Sequence, residues 1–311
     1  MLRVLINYLI ALLILIIFFI LKKDDLYLID FKISFNTNFF LFLIFKTLSL
    51  ILISIRWNFL CIKNSLNSNF FYSFMQINIG HFLSFFTPGM FAQDVVKFYF
   101  IGKLNNFINK KNIFIISIYD RLVGLIAFFI LNISIIFFWI FYSGNFVVFL
   151  EYIDLLNLSK LNLFNFLFLS FFLCIFFFRK SIYKSFFRVS RRFKKIYKLF
   201  SKMFLLAIFG HLTNLIGITF LILEVSNFDF IMNSALISIS LFGHLFPFTP
   251  SGMGITELFF QEMYHLFENT RGFTIGVIIR YHSILLALLL TISSCFIYIY
   301  YRILNNEKNK N

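Results

Sequence analysis

The sequence predicts an all-α integral membrane protein, and three observations support this. Of its 311 residues, 60% are hydrophobic and only 13% are charged, whereas soluble domains carry about 25% charged residues. Six plain apolar stretches have about the length that a helix needs to cross the hydrocarbon core of a bilayer. Two further apolar stretches are interrupted by proline and glycine, which break helices. We therefore expect about six full transmembrane helices plus two re-entrant broken-helix hairpins, and exclude soluble enzymes and nucleic-acid binders.

The apolar stretches define the elements in order. The first stretch ends in a charged run without a small-residue cleavage site, so it is interpreted as an uncleaved helix and not as a signal peptide. The two interrupted regions, at about 70–101 and 230–267, predict the hairpins. The plain stretches are residues 4–21, 39–55, 122–142, 163–178, 203–223 and 273–301.

Basic residues predict the orientation. The segment 179–202 holds ten of the 28 Lys and Arg residues and no acid, which places it in the cytoplasm by the positive-inside rule. A smaller basic group and the basic tail belong on the same side, so each hairpin would return to the face of the membrane from which it entered. We expect a multi-pass protein of the plasma (inner) membrane with cytoplasmic N- and C-termini. The net charge of +15 largely comes from this one loop and does not indicate nucleic acid.

The two interrupted regions resemble each other. Gly80-His81 is followed nine residues later by Gly89-Met90, and the same spacing separates Gly243-His244 from Gly252-Met253. An acid lies five residues after the second glycine in each copy: Asp94 and Glu257, 163 residues apart. The hairpin turns contain Pro88 in the first copy, and Pro250 and Ser251 in the second. One polytopic domain, 1–311, is expected, with a first repeat at about 38–142, the basic loop at 179–202 and a second repeat at about 203–301.

The predicted topology makes the repeat an inverted one. The helix before the first hairpin would run towards the cytoplasm, and the helix before the second would leave the cytoplasmic loop. Inverted repeats with broken helices are a recurring plan of transporters, with the substrate site at mid-membrane between the halves. Each turn leads into a half-helix whose free N–H groups and positive dipole end favour an anion.

Ionisable residues gather around the repeats, although each is costly within a bilayer. Candidate substrate-binding residues are Gly89, Asp94, Lys97, Arg121, Gly252, Glu257 and Arg280. Arg121 and Arg280 would each begin the full helix after a hairpin, and an arginine can hold a phosphate through two parallel hydrogen bonds. In this hypothesis the backbone at Gly89 and Gly252 assists them, and the two acids hold an amine or a sugar hydroxyl, or take up a coupling proton.

A purely structural interpretation of the same charges stays open. Asp94 with Lys97 or Arg121, and Glu257 with Arg280, would then be neutralising pairs that fasten the hairpins to the helices. Lys46 is either a cavity charge or a lysine that extends towards the membrane surface. His81 and His244 lack the tight spacing of metal ligands, so no metal and no other cofactor is expected. Recognisable catalytic motifs are also missing, which favours a transporter over an enzyme.

Several of these motifs together resemble a known family. They are Arg56-Trp57, the stretch around the first hairpin, the Asp120-Arg121 run, the segment FPFTPSGMGITELFF and Ile279-Arg280-Tyr281. In order and spacing they are similar to the lysylphosphatidylglycerol synthase transmembrane, or flippase-like, family. The resemblance implies a membrane unit that moves an anionic lipid between leaflets. The soluble aminoacyl-transfer domain of the best-known members is not expected in this chain.

The predicted function is therefore translocation of an anionic phospholipid or a polyprenyl-phosphate-linked lipid. The alternatives are a membrane enzyme that transfers a group to or from a lipid-phosphate carrier, with Asp94 or Glu257 as general base, and a small-solute or ion transporter. The expected partners are the membrane lipid and, as one option, a separate lipid-modifying enzyme.

Overall fold

The structure is a computed structural model that describes residues 36–87, 91–105, 110–143, 199–245, 250–265, 267 and 269–308. In these residues the secondary structure is helical and contains no strand, which confirms the all-α fold class. The predicted helices at 4–21 and 163–178, nearly all of the basic loop, and the turn residues Pro88 and Gly89 lie outside the described residues.

The described part contains eight α-helices and one 3-10 helix. Four of the α-helices, Thr37–Lys63, Lys110–Ser143, Phe200–Ser226 and Gly272–Lys308, contain spans that are long and apolar enough to cross a membrane, and they include four of the six predicted plain stretches. The other α-helices have 11 to 15 residues, or about 16–22 Å, which is too short for a full crossing. The helices are α1 Thr37–Lys63, α2 Phe70–Ser84, α3 Phe91–Leu104, α4 Lys110–Ser143, α5 Phe200–Ser226, α6 Phe230–Ser240, the 3-10 helix Leu241–Leu245, α7 Ile255–His265 and α8 Gly272–Lys308.

Helix α4 begins earlier than its apolar stretch predicts. It starts at Lys110, not near residue 122, so Asp120 and Arg121 lie about three turns inside it instead of opening it. Arg280 likewise lies eight residues inside α8, which begins at Gly272. Both helices continue past these charges because each charge has an ionic partner on a neighbouring helix.

The chain divides into two compact units. One joins the residues up to Ile136 to those from Phe204 onward, and the other is Phe137–Met203. In the second unit, only the end of α4 and the beginning of α5 are described. The contacts between helices α1 to α8 and the cavity lie within the first unit.

The helix plan repeats along the chain. Helices α1 and α5 both have 27 residues and begin 163 positions apart, at Thr37 and Phe200. The same offset, within one residue, separates the start of α3 from that of α7 and the start of α4 from that of α8. The element of the second repeat that corresponds to α2 is divided into α6 and the 3-10 helix. The offset seen in the Gly-His and Gly-Met motifs thus extends over four successive elements.

Helices α1 and α5 pack against each other in opposite directions. Near the start of α1, Phe42 approaches Gly217, whereas Ser49, further along, donates a hydrogen bond of 2.7 Å to the carbonyl of Gly210. Ile53 also lies beside Gly210. As residue numbers rise along α1 they fall along α5, so the two equivalent helices are antiparallel.

Glycine brings the helices of each hairpin into close contact at matched positions. A Cβ atom added to Gly80 would lie 2.8 Å from the Cα of Gln93, and one added to Gly243 would lie 2.7 Å from the Cα of Thr256. Real Cβ atoms do not approach backbone this closely, so only glycine fits at either position. Both contacts join residues 13 apart, and the two pairs are themselves 163 apart.

Each hairpin packs against the long helix of the other repeat. The Thr291 hydroxyl of α8 donates a 3.0 Å hydrogen bond to the carbonyl of Asn78 in α2. In the other half, Phe128 of α4 contacts Phe242 of the 3-10 helix, with ring centroids 5.4 Å apart. Shifted by 163 residues, Thr291 corresponds to Phe128, and Asn78 corresponds to Leu241, the neighbour of Phe242. The two contacts thus occupy matching places and connect the two repeats.

Candidate functional site

A cavity of about 250 Å³ lies between the two repeats. Helices α1 to α4 of the first repeat contribute Lys46, His81, Gln93 and Phe128, among others. The second repeat contributes residues of α5, α7, α8, the 3-10 helix and the turn before α7. The second-repeat residues that carry polar side chains are His211, Asn214, His244, Ser251, Thr256, Glu257, Arg280 and Ser283.

Lys46 is the buried cation of the first repeat in this cavity. It lies nine residues into α1, about 14 Å from the start of that helix, and is 8% exposed. Its Nζ donates a hydrogen bond of 2.5 Å to Oδ1 of Asn214 on α5. Among the described residues no carboxylate forms a salt bridge with it. Of the two interpretations left open by the sequence, Lys46 is thus a cavity charge.

Both histidines of the Gly-His motifs line the same cavity, although they are 163 residues apart in the chain. Lys46 lines this cavity with them. The Nε2 atom of His81 is buried and has no hydrogen-bond partner in the part of the chain that is described. Within that part, no three His, Cys, Asp or Glu residues are grouped closely enough to hold a metal ion.

Glu257 joins the second hairpin to α8. One oxygen of its carboxylate accepts a hydrogen bond from Nε of Arg280, and the other accepts one of 2.8 Å from the backbone N–H of Gly254. Gly254 immediately precedes α7, so the acid at the third helical position caps its own helix. Nη1 of Arg280 approaches the carbonyl of Ser251 at 3.4 Å, which connects this arginine to the turn as well.

The turn before α7 has a left-handed backbone. The φ angles of Ser251, Gly252 and Gly254 are +47°, +70° and +84°, a region that glycine adopts without steric cost. A Cβ on Gly252 would also lie 2.6 Å from the carbonyl oxygen of Gly243. Gly252 and Gly254 therefore let the chain fold back at the wall of the cavity.

Apart from Lys46, the paired charges of the first repeat do not line the cavity. Asp120 of α4 accepts a 2.7 Å bond from Nε of Arg56 on one oxygen and a 2.7 Å bond from Nζ of Lys97 on the other. All three side chains are at most 7% exposed. Nζ of Lys97 also lies 4.8 Å from the ring centroid of Trp57, at a distance where cation–π attraction operates. This cluster connects α1, α3 and α4.

Asp94 pairs with Arg121 in a more exposed place. The two charged groups are 2.9 Å apart, and their side chains are 25% and 29% exposed. The hydroxyl of Ser117 donates a further bond of 3.0 Å to Asp94. The neutralising pairs Asp94–Arg121 and Glu257–Arg280 are thus both formed, whereas Lys97 pairs with Asp120 and not with Asp94.

Arg121 and Arg280 are not equivalent positions of the repeat. With the 163-residue offset, Arg280 corresponds to Ser117, and Arg121 corresponds to Ile284. Ser117 and Arg280 each contact the acid of their own hairpin, whereas Arg121 reaches the same acid from one helical turn further along α4.

The predicted binding residues are consequently divided. Glu257, Arg280 and the turn residue Ser251 line the cavity. Asp94, Lys97, Arg121 and Gly252 are not among its lining residues, and Pro250 is buried beside the turn. Gly89 and Pro88 lie outside the described residues.

Sequence reasoning missed several residues that line the cavity. Asn214 and His211 lie one helical turn apart in α5, and polar residues within an apolar span are a signal that could have identified them. Sequence reasoning also missed the role of Arg56, which does not line the cavity. It was noted only as part of a motif, although a charge at the end of an apolar stretch requires a partner, which is Asp120.

Comparison with known proteins identifies the family. The family model of the lysylphosphatidylglycerol synthase TM region matches residues 4–293. The chain belongs to this family. It is thus a membrane protein related to lipid handling, as the motifs around the two hairpins predicted. No curated protein and no solved structure matched the chain.

Proposed function

We propose that the protein is a translocase that moves an anionic phospholipid, or a lipid carried on polyprenyl phosphate, between the leaflets of the plasma (inner) membrane. The observation that supports this most directly is the cavity between the repeats. It contains the charges of Lys46 and Arg280 against the single carboxylate of Glu257, so its described lining has an excess of positive charge.

The size of the cavity is suited to a headgroup. Pockets for drug-sized ligands have about 300–1,000 Å³, and this one has about 250 Å³. A phosphate with a small alcohol or sugar fits such a volume, while the acyl or prenyl chains remain in the bilayer. Ser251 and Ser283 line the wall, and their hydroxyl groups suit the alcohol groups of a headgroup.

Interlocked repeats suit a transport cycle. The antiparallel packing of α1 and α5 supports two repeats of opposite direction, in which motion of one hairpin relative to the other would open the cavity towards alternate leaflets. Cytoplasmic N- and C-termini remain part of this proposal, as does a separate enzyme that supplies the lipid.

A lipid-scrambling assay tests the function. Proteoliposomes carry fluorescent phosphatidylglycerol or phosphatidylcholine, and a membrane-impermeant quencher reports how much of each reaches the outer leaflet. We expect the protein to accelerate movement of the anionic lipid more than that of the zwitterionic one. Equal rates with and without protein for every anionic and polyprenyl-phosphate lipid supplied would contradict the proposal.

A blocking substitution links the transport to the cavity. Ser84 lines the cavity, whereas its neighbour Leu83 is 39% exposed on the outside of α2. Ser84→Trp should fill the cavity and abolish lipid movement, while Leu83→Trp should leave it intact. Equal transport by both variants would place the lipid path elsewhere.

The same vesicles separate translocation from the enzymatic alternative. Mass spectra of lipids extracted after the assay should show an unchanged headgroup under the proposed function. A chemically altered lipid whose formation requires the protein would instead support a membrane enzyme.

A further inference from the structure

The two cations of the cavity, Lys46 and Arg280, differ in the partners that they already have within the protein. Arg280 donates to the Glu257 carboxylate and to the carbonyl of Ser251, so its charge is neutralised within the protein. Lys46 donates to the neutral amide oxygen of Asn214, which satisfies one of the three ammonium N–H groups and leaves the charge in place. The positive excess of the described cavity is therefore located at Lys46.

A second observation at the same wall points to a ligand. The Nε2 atom of His81 is buried without a hydrogen-bond partner among the described residues, and such groups are rare unless a water or ligand completes them. His81 lines the cavity together with Lys46. An anion at this place would satisfy the remaining ammonium donors and accept a hydrogen bond from the neutral His81 tautomer that carries its hydrogen on Nε2.

We propose that Lys46, held by Asn214 and assisted by His81, is the phosphate-binding group of this cavity. The ligand chemistry is a phosphate ester, which offers several oxygens to an ammonium group. The proposal deepens the proposed function and rests on it for the identity of the lipid. It replaces the expectation that Arg121 and Arg280 hold the phosphate: Arg121 does not line the cavity, and both arginines are paired with acids.

The polar partner of Lys46 offers a direct test. In Asn214→Asp, a carboxylate of nearly the same size would replace the amide whose oxygen lies 2.5 Å from Nζ. This internal anion should neutralise Lys46 and compete with phosphate while it strengthens the contact between α1 and α5. Lys46→Gln removes the charge itself. Lys103→Gln is the matched control, because it removes one positive charge from an exposed position at the end of α3.

The experiment measures lipid binding by the full chain. Purified protein is placed in phosphatidylcholine nanodiscs with added phosphatidylglycerol, and native mass spectrometry counts the phosphatidylglycerol that it retains. Loss of one hydrogen bond to a charged group corresponds to an affinity about 10- to 100-fold weaker, and we expect this in Asn214→Asp and in Lys46→Gln. Lys103→Gln and the conservative Lys46→Arg should retain the lipid.

Each outcome has a defined meaning. Wild-type retention by both Asn214→Asp and Lys46→Gln would overturn the proposal, and so would loss in Lys46→Gln alone, because a charge-neutralising partner should act in the same way. Thermal unfolding of Asn214→Asp in detergent should match or exceed the wild type, which separates lost binding from misfolding.

A second arm distinguishes the sources of phosphate. Inorganic phosphate is titrated into the loaded nanodiscs: displacement of phosphatidylglycerol from wild-type protein supports a site for phosphate as such, and continued retention supports a site for the lipid-borne ester. The scrambling assay separates this inference from the proposed function. Binding that depends on Lys46 without any lipid movement would refute translocation and leave the site intact, whereas movement that is unchanged in Lys46→Gln would refute the site alone.

Discussion

The two repeats share a helix plan but use their charges differently. In the first repeat, Asp120 lies between Arg56 and Lys97, buried among α1, α3 and α4. The same position of the second repeat is Ser283, which lines the cavity. There, the ionic contact is between Glu257 and Arg280 at the cavity wall. Two halves with the same helix plan therefore differ in their ion pairs: one holds its hairpin with buried pairs, and the other places a single pair at the cavity wall.

The largest expected difference between the repeats is the side of the membrane from which equivalent positions are accessible. Ser65 and Asn227 follow the ends of α1 and α5, are exposed, and have φ angles of +57° and +59°. In a chain whose own cysteines are replaced by serine, Ser65→Cys and Asn227→Cys should react with an impermeant thiol reagent from opposite sides. We expect Ser65→Cys to be cytoplasmic. Labelling of both from one side would refute the inverted arrangement.

Removing the charge of Asp120, the acid that pairs with both Arg56 and Lys97, should give the largest loss of stability. Asp120→Asn would leave Arg56 and Lys97 buried without their carboxylate, and breaking a buried pair in this way costs about 3–5 kcal/mol. Thermal unfolding in detergent measures the loss. Ser283→Ala at the equivalent position should change the free energy of unfolding by less than about 1 kcal/mol. Similar losses in both would show that the halves are held together in the same way.

The glycine contacts should behave alike in the two repeats. Gly80→Ala and Gly243→Ala each force a Cβ against backbone, at Gln93 and Thr256 respectively, and overpacking of this kind costs about 1–3 kcal/mol. Gly210→Ala is the control, because its Cβ would meet Ile53 at an ordinary 3.6 Å. Unfolding temperatures should fall together in the first two variants and remain unchanged or rise in the third. A loss in only one hairpin would contradict their equivalence.

Substitution of the two hairpin acids, Asp94 and Glu257, should change the free energy of unfolding by smaller amounts, and these amounts should differ. Asp94→Asn breaks a partly exposed pair with Arg121, and such pairs contribute about 0–1 kcal/mol. Glu257→Gln breaks a buried pair and leaves Arg280 without its counter-charge, so we expect a loss of more than about 1 kcal/mol.

Phosphatidylglycerol retention gives an independent measure of the same pair of variants. Glu257→Gln adds a net positive charge to the cavity and should retain more phosphatidylglycerol, whereas Asp94→Asn should retain the wild-type amount. Equal responses would mean that both acids face the same environment.

Much of the fold followed from the sequence because its signals are local. Apolar length predicted four of the described long helices, and the Gly-His and Gly-Met spacing predicted a repeat whose offset the helix bounds reproduce. The beginning of α4 was missed because Asp120 and Arg121 suggest a helix end when considered alone. Their partners, Arg56 and Asp94, lie far away in the chain and become visible only in the folded protein.

The site was harder to predict from the sequence, because its residues also come from distant parts of the chain. Matching acids drew attention to both hairpins equally, although only Glu257 lines the cavity. Lys46 was recognised as unusual, but its role depends on Asn214, which is 168 residues away. A contact between antiparallel helices of different repeats leaves no spacing pattern in a single chain.

The contact between α2 and α8 also affects how the protein is made. Asn78 and Thr291 are separated by 213 residues, and at about 5–20 residues per second the ribosome needs roughly 10–40 s to synthesise the chain between them. During that interval the first hairpin has been made, but the helix that covers one side of it has not. We therefore expect lipid or an insertion chaperone to shield that side, and a chain truncated before α8 to be a target for membrane proteases.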